Sequence, residues 1–143
     1  MSDMSKTKVH TFPFTIAYAD TDAAGIVYHA RYLEIAERAR MDWLKGNAPP
    51  EGDLGFVIKE ITVKYLRALR VWDEITVETT AANIGAASLM VEQKMMKDGE
   101  TYAILTGTAA YLGKNMRPKR IPEKILKKIT DETVIEELNL LNR

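Results

Sequence analysis

The stretch Ile16–Arg40, I-A-Y-A-D-T-D-A-A-G-I-V-Y-H-A-R-Y-L-E-I-A-E-R-A-R, changes its hydrophobic period along its length. To its left, Phe12, Phe14, Ile16 and Tyr18 alternate with smaller or polar residues, which predicts a strand over Thr11–Tyr18. To its right, Tyr32, Ile35, Ala36, Ala39 and Trp43 share one stripe of a helix that the spacing places over His29–Lys45. Its alanines keep that helix slim enough to press against a sheet, and Gly46-Asn47 ends it. The turn from Asp20 to Tyr28 joins the two, with Gly25 free to take positive φ. A chain built on such a junction must lay its one long helix across the sheet that the remaining residues supply.

Four strand-like segments follow a Pro/Gly-rich loop at Asn47–Gly55. They are Phe56–Tyr65, with Val57, Ile61 and Val63, then Glu74–Ile84, Ser88–Met96 and Glu100–Leu112. The dipeptide Asp98-Gly99 is a strong hairpin signal. Consecutive hairpins predict an antiparallel meander of these four strands. On the helix surface, Glu34 with Arg38 and Arg38 with Asp42 stand at pairing distance. Pro122 opens a short helix, and Thr130–Leu141 offers a second, so residues 122–143 form a helical segment. Residues 1–9 read as a loose terminus. The expectation is a single α+β domain over residues 1–143, a five-stranded antiparallel sheet wrapped around one long helix.

Several chemistries drop out at once. Lys+Arg and Asp+Glu are both 20, which argues against nucleic-acid binding. There is no cysteine, hence no disulfide or thiolate nucleophile. The two histidines, His10 and His29, stand in no HExxH pattern, so no metal site is expected. No GxSxG elbow, Walker loop or dinucleotide fingerprint occurs. The polar start and the absence of any run near ~18 apolar residues predict a cytoplasmic protein without a membrane span.

What remains is the junction. Asp22 lies seven residues before His29, where the helix is expected to begin. A helix start offers unpaired N–H groups and partial positive charge. A carboxylate near it can act as nucleophile or as base toward water, while those N–H groups hold a developing oxyanion. His29 can move protons near neutrality, and Tyr18 can hydrogen-bond the carboxylate or a substrate. The spacing is equally that of a cap: short Asp and Thr residues before helices most often form turns, and a lone histidine is more often solvated than catalytic.

The motif D-T-D-A-A-G-I-V-Y-H-A-R-Y-L, running into E-R-A-R, resembles the signature of the hotdog-fold thioesterases of the 4-hydroxybenzoyl-CoA thioesterase type, and within them the YbgC-like branch. The resemblance implies a hotdog fold, a curved sheet around a central helix. It implies a homodimer with the sheets joined edge to edge at Val57–Tyr65, paired again into a homotetramer, and an active site shared between subunits. It implies hydrolysis of acyl-CoA, or of an acyl-carrier-protein thioester, with no cofactor. Asp22 takes the place of the family's catalytic aspartate, His29 that of the oxyanion donor, and Tyr18 an aromatic position beside them. Gly25, Val27, Tyr28, Ser88, Arg117 and Lys119 are expected along the substrate, and Asp20 as a structural partner bonding loop amides. Phe56, Ile58 and methionines are expected to line the acyl pocket.

The chain departs from the pattern in two places. Ala68-Leu69 stands where a proline and alanine are common, and the turn Gly85-Ala86-Ala87 lacks the basic residues that several members place near CoA phosphates. The basic loop Lys114–Arg120 can supply phosphate contacts instead, or it is a solvated turn. The same fold also serves a non-catalytic acyl-thioester binding protein and a dehydratase, which stand as alternatives.

Overall fold

The computed structural model describes residues 7–130. Its elements run β1 (His10–Thr15), α1 (Arg31–Trp43), β2 (Gly55–Tyr65), β3 (Glu74–Ala82), β4 (Ser88–Lys97), β5 (Glu100–Leu112) and α2 (Glu123–Ile129). The strands form one antiparallel sheet in the order β1-β3-β4-β5-β2. The expected second C-terminal helix, apart from Thr130, and residues 1–6 of the expected loose terminus lie outside the described residues.

The helix stripe is as the spacing predicts: Tyr32, Ile35, Ala36, Ala39 and Trp43 are its buried residues. The first four pack against Ile75, Val77, Met95 and Leu105 of the sheet, while Trp43 joins a second cluster with Tyr111 and with Ile125 and Ile129 of α2. The helix therefore lies along the sheet's concave face and α2 closes one end. The Asp98-Gly99 turn has positive φ at both residues, 51° and 77°, as its hairpin demands. Register shifts at Ile58/Glu60 and Met95/Met96 are bulges, which bend strands and so let the sheet curve.

Three expectations need correction. First, the meander holds only for β3-β4-β5. β2 pairs with β5, not β3. The connection Leu66–Asp73 contains no glycine or proline to turn a hairpin. Its backbone groups are satisfied elsewhere: Leu66 and Arg67 N–H donate to Tyr102 O, Leu69 O accepts from Val27 N–H, and Val71 N–H donates to Gly25 O. The connection is thus drawn across the end of the sheet to the junction. Second, β1 stops at Thr15, because Ala17–Asp20 closes a 3-10 turn with Asp20 N–H on Ala17 O. Phe12, Phe14 and Ile16 keep their alternation, but Tyr18 is 71% exposed. Third, the surface pairs differ. Glu34 bonds Arg31, and Asp42 bonds His10 Nε2 at 2.9 Å, a tie between helix and β1. Among the described residues Arg38 has no carboxylate partner.

The two sheet edges are unequal. β1 is a six-residue strand carrying Pro13, a combination that discourages further pairing. β2 has eleven residues and no proline, with Ile58 and Tyr65 exposed along it. Among the described residues nothing pairs with its outer edge. No helix among them is long and apolar enough to cross a membrane.

Candidate active site

The junction folds back on itself before the helix begins. Tyr28 N–H donates to Asp20 O, Thr21 bridges Val27, and Asp22 N–H donates to Ile26 O, so the loop is a small antiparallel clasp. Gly25, at φ 78°, forms its tip, a conformation costly to any residue with a Cβ. A second bridge, Ile26 to Arg70, ties the clasp to the β2–β3 connection.

The two aspartates have opposite surroundings. Asp20 is buried, its Oδ2 accepting from Ala17 N–H at 2.8 Å and its Oδ1 from Arg31 Nε at 2.9 Å. The bond to Asp20 holds the Arg31 guanidinium above its ordinary pKa. Asp22 is exposed. Its Oδ1 accepts from Ala24 N–H at 2.8 Å and, at a long 3.4 Å, from Ile26 N–H. Among the described residues its Oδ2 has no hydrogen-bond partner. Asp22 thus closes a turn within its own loop and does not cap the helix, whose N-cap is Ala30 with no side-chain cap bond; the turn uses only one of the two carboxylate oxygens.

The helix begins two residues later than expected, at Arg31, because His29 and Ala30 form a turn closed by Arg31 N–H on Tyr28 O. Among the described residues the N–H groups of His29 and Ala30 have no hydrogen-bond acceptor. His29 O accepts from Tyr65 Oη at 2.7 Å, which anchors the helix start to the end of β2. The exposed His29 ring packs on Tyr28, 4.4 Å between centroids. Tyr18 meets neither Asp22 nor His29. It packs edge-on against Trp72, 5.8 Å away. Val27 is buried and its side chain is part of the core.

Ser88, Arg117 and Lys119 lie at the other end of the sheet. Ser88 stands opposite Ala110, whereas Tyr65, which holds His29, stands opposite Ala103. Seven residues of β5 (110 minus 103) separate them, roughly 23 Å at about 3.3 Å per residue. Within one chain these groups do not converge on Asp22. Lys119 is already engaged, donating to Asp53 Oδ1 at 2.8 Å, while Tyr111 Oη donates to Asp53 Oδ2 at 2.8 Å. Lys119, then Tyr111, hold the Asp53 carboxyl below its ordinary pKa. A lowered carboxyl pKa contributes stability that is present above its unfolded pKa and lost as pH falls through the folded one. Asp53→Asn is therefore expected to flatten the stability curve only on its acid limb, below about pH 4, measured by urea unfolding across pH.

At that same far end a cavity of about 270 Å³ opens between α1 and the sheet, bordered by Arg40, Met41 and Trp43 of α1, Phe56 and Ile58 of β2, and Val91 of β4. It includes the expected Phe56 and Ile58 and one methionine.

Three site features escaped the sequence reading: Arg31, Tyr65 and the Arg40–Gln93 pair. Gln93 left a signal, as the one polar member of the inward series Leu89, Val91, Gln93, Met95. Arg31 and Tyr65 left none, since each acts through a partner distant in sequence.

The profile of the thioesterase-like superfamily matches residues 16–129. The acyl-CoA thioesterase YbgC of Haemophilus influenzae is 35% identical over 123 residues, covering 80% of this chain and 90% of that protein. The acyl-CoA thioester hydrolase YbgC of Escherichia coli O6:H1 is 29% identical over 130 residues, covering 84% and 95%. A thioesterase from Thermus thermophilus, solved in complex with coenzyme A and Zn, superposes with a TM-score of 0.72 at 30% identity, covering 83% of this chain and 90% of that one.

Proposed function

The chain belongs to the thioesterase-like superfamily and is a thioesterase, and from that premise we propose that it hydrolyses acyl-CoA thioesters at the Asp22–His29 clasp. One observation carries the reading: among the described residues, an exposed carboxylate with a free oxygen shares a short loop with two unpaired N–H groups at a helix start. The N–H groups of His29 and Ala30 receive the carbonyl oxygen as it gains charge. Asp22 Oδ2 supplies the attack, on the carbonyl carbon itself or through a water whose proton it takes. Collapse of the tetrahedral adduct breaks the C–S bond and releases CoA thiolate, leaving the free acid where water attacked, or a mixed anhydride on Asp22 that a water molecule then opens to the acid and the regenerated carboxylate. Asp20 and Arg31 hold the clasp, and Tyr65 holds the helix start.

The site is completed by a second copy. Antiparallel pairing of β2 with its twin across a two-fold axis makes a homodimer. It brings the clasp end of each subunit to the far end of the other, where the cavity, Ser88 and Arg117 stand. The cavity then receives the acyl group, and the partner's basic loop faces the CoA phosphates.

The test is thiol release from a panel of acyl-CoA and acyl-carrier-protein thioesters, with two variants mixed. Asp22→Asn removes the carboxylate of an otherwise intact clasp, and Val91→Phe fills the cavity. Each alone is expected to be inactive. Co-expressed, random two-fold pairing leaves about a quarter of the sites intact, and activity returns to that level. No return of activity in verified mixed dimers counts against a shared site. No release from any thioester counts against hydrolysis itself.

A further inference from the structure

Two charged residues border the cavity, Glu37 and Arg40. Glu37 is exposed, and water screens its carboxylate. Arg40 is half-buried, and burial lowers its pKa. Its Nη1 donates to Gln93 Oε1 at 2.9 Å. Gln93 is itself fully buried, and its amide nitrogen donates to Ala36 O at 2.9 Å and Thr79 Oγ1 at 3.1 Å. With both amide hydrogens committed, its carbonyl oxygen is held toward Arg40.

A guanidinium carries five N–H donors. Among the described residues only this one bond from Arg40 finds a protein acceptor, and no carboxylate lies within ion-pair reach of it. Its one hydrogen-bonded partner is neutral, and Glu37, beyond contact, offsets the burial of the guanidinium only in part through its charge; an oxygen acceptor entering the cavity adds the charge-assisted hydrogen bonds that neither supplies. The volume, about 270 Å³, sits just below the ~300–1,000 Å³ of ordinary ligand pockets, so the acyl group it takes is short.

On the reading that this cavity receives the acyl group, we propose that Arg40 is a specificity-determining residue. It selects short acyl groups that end in an oxygen acceptor, a carboxylate above all, over alkyl groups of equal length. Gln93 is its positioning residue, aiming the guanidinium from beneath.

The experiment compares kcat/KM for adipoyl-CoA and hexanoyl-CoA, which differ only at the distal end. The native enzyme is expected to favour adipoyl-CoA by about tenfold or more, mainly through KM. Arg40→Met is expected to bring the ratio to within about twofold of one. A native ratio near or below one overturns the proposal, as does a high ratio that survives Arg40→Met in a folded protein. To guard against loss of that variant to misfolding, the native enzyme is also inhibited with the free acids. Adipate is expected to inhibit more strongly than hexanoate, and the reverse order overturns the proposal. Hydrolysis of both thioesters without preference rejects Arg40 as selector and leaves the thioesterase reading intact. Absence of hydrolysis of both overturns the proposal for this cavity, and absence across the whole thioester panel rejects the thioesterase reading instead.

Discussion

Asp22→Asn is expected to lower kcat by about 10²-fold or more and to leave thermal stability nearly unchanged. Asparagine keeps the side-chain oxygen that accepts from Ala24 N–H, so the turn survives. It removes the negative charge and the basic lone pair of Oδ2, on which both attack by the carboxylate and attack by an activated water depend. Asp22 is exposed and bonds only its own loop, so no distant part of the fold relies on its charge. Thiol release and a melting curve on the same preparation measure both effects. Turnover within about twofold of native, far short of the usual loss for an acid–base group, would remove Asp22 from the mechanism. Single turnover in ¹⁸O-water then tests direct attack: label in the Asp22 carboxylate marks an anhydride opened at the aspartyl carbon, whereas label in the released acid alone is common to attack by water and to an anhydride opened at the acyl carbon.

Asp20→Ala should show the opposite profile, a stability loss of about 2 kcal/mol from its charge-assisted bonds. Its carboxylate is buried and bridges Ala17 N–H and Arg31 Nε. Arg31 is 30% exposed and already bonded to Glu34. It can turn to that carboxylate and to water, which keeps the cost below that of stranding a fully buried charge. The readout is the urea midpoint. An unchanged midpoint would mean that the clasp stands without Asp20. Together the two variants separate residues that the spacing D-T-D presents as equals: one lowers kcat on an intact fold, the other loosens the fold beneath the site.

Much of the architecture is legible in the chain because it depends on local period. The stripe Tyr32, Ile35, Ala36, Ala39, Trp43 has one way to be buried, and the alternations of β3, β4 and β5 and the Asp98-Gly99 turn each specify a neighbour close in sequence. The placement of β2 is not legible. A strand's alternation states which face is buried but not which strand lies beside it. That choice was made by the connection Leu66–Asp73, whose backbone groups meet the junction and β5. Strand β1 ends short of what its alternation predicts for a related reason: the turn that ends it rests on the Asp20 side chain, and a pattern of apolar residues does not register a hydrogen bond.

The chain by itself determined the strand-to-helix junction, the helix face and the candidacy of Asp22, because each rests on residues within a few positions of one another. Tertiary structure decided which aspartate is buried, that Tyr18 turns to Trp72 rather than to Asp22, and that Ser88, Arg117 and Lys119 stand at the opposite end of the sheet from the clasp. It also set Arg40 over Gln93, 53 positions away. These are matters of long-range packing, where burial and the need to satisfy each buried polar group select one arrangement among many that the same local patterns allow.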